Sequence, residues 1–493
     1  MPFKDWLPDL SPLANPGLTV ASGVLPTADG YGPFPDWVSL GVAALTGFAR
    51  GASAGLDPSG VGYNFTGDAT TLYRIGPAGF QDVTRLAGAY NANGTARWDF
   101  LQTRDRMLAC NPYDDIQTLD LADVNGTFTQ LSPDAPRARF LAFIGPQMIA
   151  ANIFDPIAGQ LPDGFRYPQI NNPSSWPDPA GDLAAQAQAG LTVIEGNGGR
   201  IQAAVSGAEV GAIFQERQIA RVEYVGGDVI YQTDRVEKTR GCLIPGLAVP
   251  LGREIFYCSE DGFYLFNYTS SESVGDSKVN RTFLADVDAN YFHRVSAILH
   301  PDLPIVAVGY PGAGNVGGTP NRILVYNHAL RKFATVDLEH DLLARVVPLG
   351  VTMDNLGFPN LDTVPMSLDE FVSSPGAQQF GAYSTAHLLG TFSGEAVAAT
   401  LETGDRELLP GRICWANAAR PLVDDAEPTV QVSRSFDRRS SAADFRPAAA
   451  LNRYGTCPIR ALGRYHRFRL NVPAGWTGKA VGLDVEFERD GSG

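Results

Sequence analysis

Lysine is scarce in this chain of 493 residues, where only Lys4, Lys238, Lys278, Lys332 and Lys479 occur. Cysteine is scarcer in useful arrangement: Cys110, Cys242, Cys258, Cys414 and Cys457 are odd in number, lie far apart and form no CxxC pair. Such spacing argues against a disulfide framework or a zinc site and fits a reducing cytoplasm. Long apolar runs are missing as well. The opening Met-Pro-Phe-Lys-Asp has one basic residue and no apolar core, and the run over 38–49 is broken by Gly41 and Gly47. No signal peptide or membrane span is expected. The Asn-x-Ser/Thr triplets at Asn64, Asn93, Asn125, Asn267 and Asn280 then read as chance matches in turn-rich sequence.

Catalytic signatures are also lacking. There is no GxSxG elbow, no Walker loop and no HExxH, and His293, His300, His328, His340, His387 and His466 form no close pair. Asp286, Asp288 and Asn290 resemble the start of a calcium loop, but Tyr291 stands where glycine is needed and Ala297 where a bidentate Glu belongs. Gly312, Gly314 and Gly317 match GxGxxG, yet Gly318-Thr319-Pro320-Asn321 follows and no helix begins to meet a pyrophosphate. The segment reads as a hairpin loop. The acid pairs Asp114-Asp115 and Asp424-Asp425 sit in turn-like surroundings and read as solvated loop acids. No catalytic, cofactor or metal residue is expected.

What the chain has in quantity is glycine (53) and proline (35), spread along its length. Helical periodicity is hard to find, whereas short apolar or alternating runs bounded by Gly, Asp, Asn and Pro recur. The fold class is all-β. A recurring unit of strand, tight turn and strand is clearest at Glu254–Cys258, the turn Ser259-Glu260-Asp261-Gly262, and Phe263–Phe266. Related hairpins lie at 62–65 with 72–75, 107–110 with 117–120, 211–214 with 219–224 and 305–310 with 323–326, with a weaker copy at 140–150. Intervals in the forties point to propeller blades, six to eight of them.

The expected organisation is an extended N-terminal arm over 1–35, a β-propeller over 36–403 and a C-terminal β-sandwich over 404–493. The proline-rich stretches 154–189 and 340–379 read as loops projecting from the scaffold. The sandwich is expected from alternation at 430–435, 465–472 and 480–487.

Charge is the last informative feature. The net charge is −15, which disfavours phosphate gripping over the whole surface. One stretch departs from this: from Arg434 to Arg469 there are nine arginines against Asp437 and Asp444. Arg434, Arg438, Arg439, Arg446, Arg464, Arg467 and Arg469 are candidate contacts to a partner or a second subunit. The reading the residues favour first is that they cover the outer face of a strand pair.

Several segments in order carry a resemblance: Asp29-Gly30-Tyr31-Gly32-Pro33-Phe34-Pro35, Leu72-Tyr73-Arg74-Ile75, the run from Gly211 to Gly226, Arg240-Gly241-Cys242, Asp261-Gly262-Phe263-Tyr264, and Gly463 to Leu470. With these the chain resembles the packaged-DNA stabilisation proteins, or tail hub (nozzle) proteins, of short-tailed bacteriophages. The resemblance implies a structural virion protein without enzymatic activity or cofactor, made in the host cytoplasm. It implies a homohexameric ring below the portal adaptor that surrounds the DNA exit channel, retains packaged DNA until ejection and carries tail spikes or fibres. Double-stranded DNA would pass without sequence-specific binding, and acidic character would let it slide. The arginines would grip a neighbouring protein by bidentate pairing. The alternatives are a propeller hydrolase acting on polysaccharide through two carboxylates and a lectin-like propeller using loop aromatics such as Trp176 and Tyr167.

Overall fold

The Asp261-Gly262 turn forms as its sequence predicts, with Ser259 facing Gly262 across the hairpin. Gly262 takes a φ of +131°, and a Cβ there would come within 2.0 Å of the Asn280 side chain, so only glycine fits. The flanking strands Ile255–Ser259 and Gly262–Phe266 are buried at every position. Burial on both faces explains why these segments read as unbroken apolar runs. A neighbouring sheet must therefore lie against each face.

A computed structural model of the chain supplies those neighbours and describes residues 1–76, 79–227, 229–348, 377–437 and 443–490. Among the described residues, seven antiparallel groups of four strands begin at the innermost strands Gly51–Leu56, Asp99–Gln102, Arg137–Ile144, Ile201–Val205, Ala248–Pro250, Ser296–Leu299 and Leu342–Val346. Each innermost strand packs on the next, and the seventh packs on the first. The protein is a seven-bladed β-propeller. Five of the sequence hairpins are the second and third strands of blades one, two, four, five and six. The copy at 140–150 instead falls on the first two strands of blade three, where Phe140 faces Ala151.

Blade seven is assembled from distant parts of the chain. Leu342–Val346, Gln379–Tyr383 and Leu389–Ala396 supply three strands, and Pro35–Ser39 adds the outermost one. The Trp37 indole N–H donates to the Ala382 carbonyl at 2.9 Å. On the other side, the buried Asn64 of blade one donates to the Val347 carbonyl at 2.8 Å and accepts from the Val347 N–H at 2.7 Å. These contacts lock the last blade to the first.

The sandwich is present, but its composition differs from the expected boundary at 404. One sheet runs Leu18–Ser22, Ala399–Thr403, Tyr465–Val472, Thr429–Ser435, Ala449–Ala450, and the other runs Val24–Pro26, Tyr31–Pro33, Ala480–Arg489, Cys414–Val423, Cys457–Gly463. Residues 1–35 are therefore no free arm. Leu18 and Ala21 face the core, and their strand pairs with Ala399–Thr403. Ser22 also meets Thr335 of blade six in parallel, so that blade and the first sandwich sheet are continuous. One apolar cluster runs from Phe3 and Trp6 through Phe256, Phe263 and Tyr326 of the propeller to Leu401, Phe468 and Trp476 of the sandwich.

The stretch 154–189 is also corrected. Gly159–Tyr167 is the third strand of blade three, and Gly190–Val193 the fourth. Only 168–189 connects them, and it is tied down by Arg166. That guanidinium, 1% exposed, bonds to Asp155 at 2.6 Å and to the Trp176 and Pro177 carbonyls at 3.1 and 2.9 Å. Within 340–379, His340 is buried and Leu342–Val346 is an innermost strand, while 349–376 lies outside the described residues. All five cysteines are buried and unpaired. No helix among the described residues is long and apolar enough to cross a membrane.

Candidate functional site

The arginines read from the sequence are largely engaged within the sandwich. Glu402 and Arg469 are direct partners across adjacent strands, and the guanidinium grips Glu402 through two contacts at 2.9 and 2.7 Å. Arg469 also lies 3.9 Å over the Phe445 ring. Arg467 is buried and pairs with Asp405 at 2.9 Å and Glu402 at 3.7 Å. Arg464 reaches Glu407 at 3.5 Å. Arg434 donates to the Leu462 carbonyl at 3.0 Å and Arg446 to that of Arg460 at 2.6 Å. Arg438 and Arg439 lie outside the described residues. The run thus brings Arg467 and Arg469 together on Glu402, while Arg434 and Arg464 keep exposed heads at one end of the sandwich. Next to them, Arg412, Ile413, Phe436, Arg464 and Arg489 line a groove of about 290 Å³, and Ile413, Trp415, Phe436 and Phe487 are exposed.

Other sequence candidates resolve into structural roles. Residues 311–321 join the second and third strands of blade six, so the GxGxxG match is a hairpin loop. Asp286 holds that loop through the Ala313 N–H at 3.1 Å and Arg322 at 3.1 Å, and Asp288 caps the short 3-10 helix at Asn290. Asp114 pairs with Arg85 at 2.9 Å. Trp176 and Tyr167, the aromatics considered for sugar stacking, are buried. Asn64 and Asn280 are buried too, which removes them as glycan acceptors.

A cluster that the sequence did not point to lies at the propeller axis, at the end where the innermost strands begin. Arg50 immediately precedes the first of these strands, Arg97 lies two residues before the second, Arg139 is the third residue of its strand, and Arg294 lies two residues before the sixth. Arg97, Asp99, Arg139, Trp98, Pro245 and His293 surround a cavity of about 110 Å³. A smaller adjoining recess holds Phe48, Arg50, Arg294 and Asp341, and both guanidiniums lie over the Phe48 ring, at 4.3 and 3.8 Å. Burial, and then the repulsion of Arg294, Arg50, Arg97 and Arg139, pushes the His293 imidazole down to about 4. Burial pushes Arg97 down to about 10, and it pushes the Asp99 carboxyl up to about 6 although that group accepts the Leu141 N–H at 2.7 Å. Asp341 is shared by Arg294 at 3.5 Å and by the His387 imidazole. No sequence window could show this cluster, because its members are spread over some 250 residues and meet only when the ring closes; the one local sign is a basic residue at the start of a blade. Among the described residues, no group of three or more His, Cys, Asp and Glu could hold a metal ion.

No family model matches the chain, and no curated protein matches it. Among solved structures, the WD40 domain of Neurospora crassa Pan2 is similar at 9% identity and a TM-score of 0.37, over 63% of this chain and 89% of that one. The β-propeller domain of Myceliophteria thermophila Cps50 (Swd1) is similar at 10% identity and a TM-score of 0.38, over 64% and 92%. YCF48 bound to D1 peptide is similar at 9% identity and a TM-score of 0.37, over 74% and 95%.

Proposed function

We propose that the protein is a structural assembly subunit of a phage virion, a tail hub or nozzle component. Six copies would form a ring below the portal adaptor, surround the DNA exit channel, hold packaged DNA until ejection and carry spikes or fibres. The observation that carries the reading is the sandwich end, where exposed Ile413, Trp415, Phe436 and Phe487 lie beside the exposed heads of Arg434 and Arg464. Apolar anchors flanked by arginine are the composition of protein contacts. A body in which blade six continues into the sandwich supplies the stiffness that a load-carrying ring needs.

The test is to quantify this chain by mass spectrometry in particles from the source culture, against a capsid protein of known copy number. About six copies per particle are expected for closed cyclic symmetry of this size; absence from intact particles overturns the reading. In the purified protein, Arg434→Glu with Arg464→Glu is expected to weaken self-association or adaptor binding, and unchanged assembly across a salt series removes this end as the contact.

A second reading, a polysaccharide hydrolase at the axis, has one observation in its favour, the raised carboxyl of Asp99. Asp341, the other axial acid, is already taken up by Arg294 and His387. Turnover of a glycan library that disappears in Asp99→Asn would establish it.

A further inference from the structure

We propose that the axial cavity is a binding site for a small tetrahedral oxyanion of the phosphate class. Arg97 and Arg139, from blades two and three, line the cavity itself, and Arg50 and Arg294, from blades one and six, line the adjoining recess, so guanidiniums are gathered around the axis. A carboxylate presents acceptors in one plane, whereas a tetrahedral oxyanion presents them all round and suits this arrangement. The cavity, about 110 Å³, has room for a phosphate group.

Donor capacity is left over. The Arg139 side chain makes no hydrogen bond or ion pair among the described residues, and the buried Nε atoms of Arg50 and Arg294 have no partner. The Arg294 side chain is only 10% exposed. Arg97 spends one terminal nitrogen on the Pro245 and Val295 carbonyls, at 3.1 and 2.5 Å. Four guanidiniums thus face three acids, Asp99, Asp341 and, beside Arg50, Asp68, and Asp341 is also shared with His387. Like charges held together in a narrow, poorly hydrated space raise the free energy of the empty site, and a dianion relieves that repulsion while meeting the unused N–H groups. In a chain of net charge −15, the low-dielectric walls of the axis strengthen this positive spot.

The site does not depend on the assembly reading, since a single propeller contains it. Inorganic phosphate is titrated into the purified chain by calorimetry at constant ionic strength, with chloride as the balancing anion. Saturable binding is expected with one phosphate per chain. Arg139→Gln is expected to weaken it roughly tenfold or more, the size of one charged hydrogen bond, while Arg331→Gln, far out on blade six, leaves it unchanged. In the unaltered protein, phosphate is expected to move the His293 titration upward by adding negative charge beside it, a readout that no variant can spoil by misfolding. Tighter binding of glycerol phosphate than of inorganic phosphate assigns a phosphomonoester as the ligand, and the reverse order assigns the free ion. Binding no different from chloride, or equal in Arg139→Gln, overturns the proposal.

Discussion

Arg166 shows what a single charged residue does inside this fold. Its guanidinium and the Asp155 carboxylate are both almost fully buried, and Asp155 also accepts the N–H groups of Ile157 and Ala158. Arg166→Met should leave that carboxylate without its cation and cost about 3–5 kcal/mol, measured by urea unfolding. The same change should loosen 168–189, read as new protease cutting there. Histidine sets the acid limit. His340 and His293 are both pushed down to about 4, His340 by its burial. The unfolded chain, with imidazoles near their ordinary value, binds the extra protons, so stability falls as pH drops from about 6.5 toward 4. Asp99, pushed up to about 6, keeps its proton better in the folded state and acts in the opposite direction. The urea midpoint is expected to be lower at pH 5 than at pH 7, and in Asp99→Asn the fall should be steeper. None of these roles is visible in sequence. Arg166 and Arg469 are the same letter, and only the fold decides that one anchors a connection in the interior while the other spans two strands at the surface.

Elements were more legible. The Asp261-Gly262 hairpin is a local event whose turn chemistry and apolar flanks are contiguous, and the second and third strands of four other blades are placed in the same way. Gly262→Ala is expected to destabilise by more than about 1 kcal/mol, from the backbone angle and the Asn280 contact together, checked by thermal unfolding. Blade seven could not be found by repeat, because its strands come from both ends of the propeller region and its first two are separated by a long insertion. The expected arm over 1–35 conceals strands for a related reason: Leu18–Ser22 pairs with Ala399–Thr403 almost 400 residues away, and the local hairpin of Val24–Pro26 with Tyr31–Pro33 joins its sheet only through Ala480. A chain lacking residues 1–40 should leave the edge of Leu389–Ala396 unpaired and remove three sandwich strands. Aggregation rather than a smaller folded monomer is expected on size-exclusion chromatography.

At the scale of the molecule, the shared apolar cluster and the sheet continuing from blade six make propeller and sandwich one unit. Calorimetric unfolding is expected to show one transition, with van't Hoff and calorimetric enthalpies in agreement. Two transitions would mean that the sandwich can melt alone. The sequence located a change of character near 403, but alternation reports only which face of a strand is buried, and gives no account of the body it is buried against.

The closure of blade seven by Pro35–Ser39 also fixes an order of events during synthesis. That segment leaves the ribosome before any blade exists, yet its partner strand, Leu389–Ala396, is made some 350 residues later. At a typical 5–20 residues per second, the early segment waits roughly 20–70 seconds without its partner. Blade seven therefore stays incomplete until its third strand has been made, while the arginines of blades two and three can already meet at the axis.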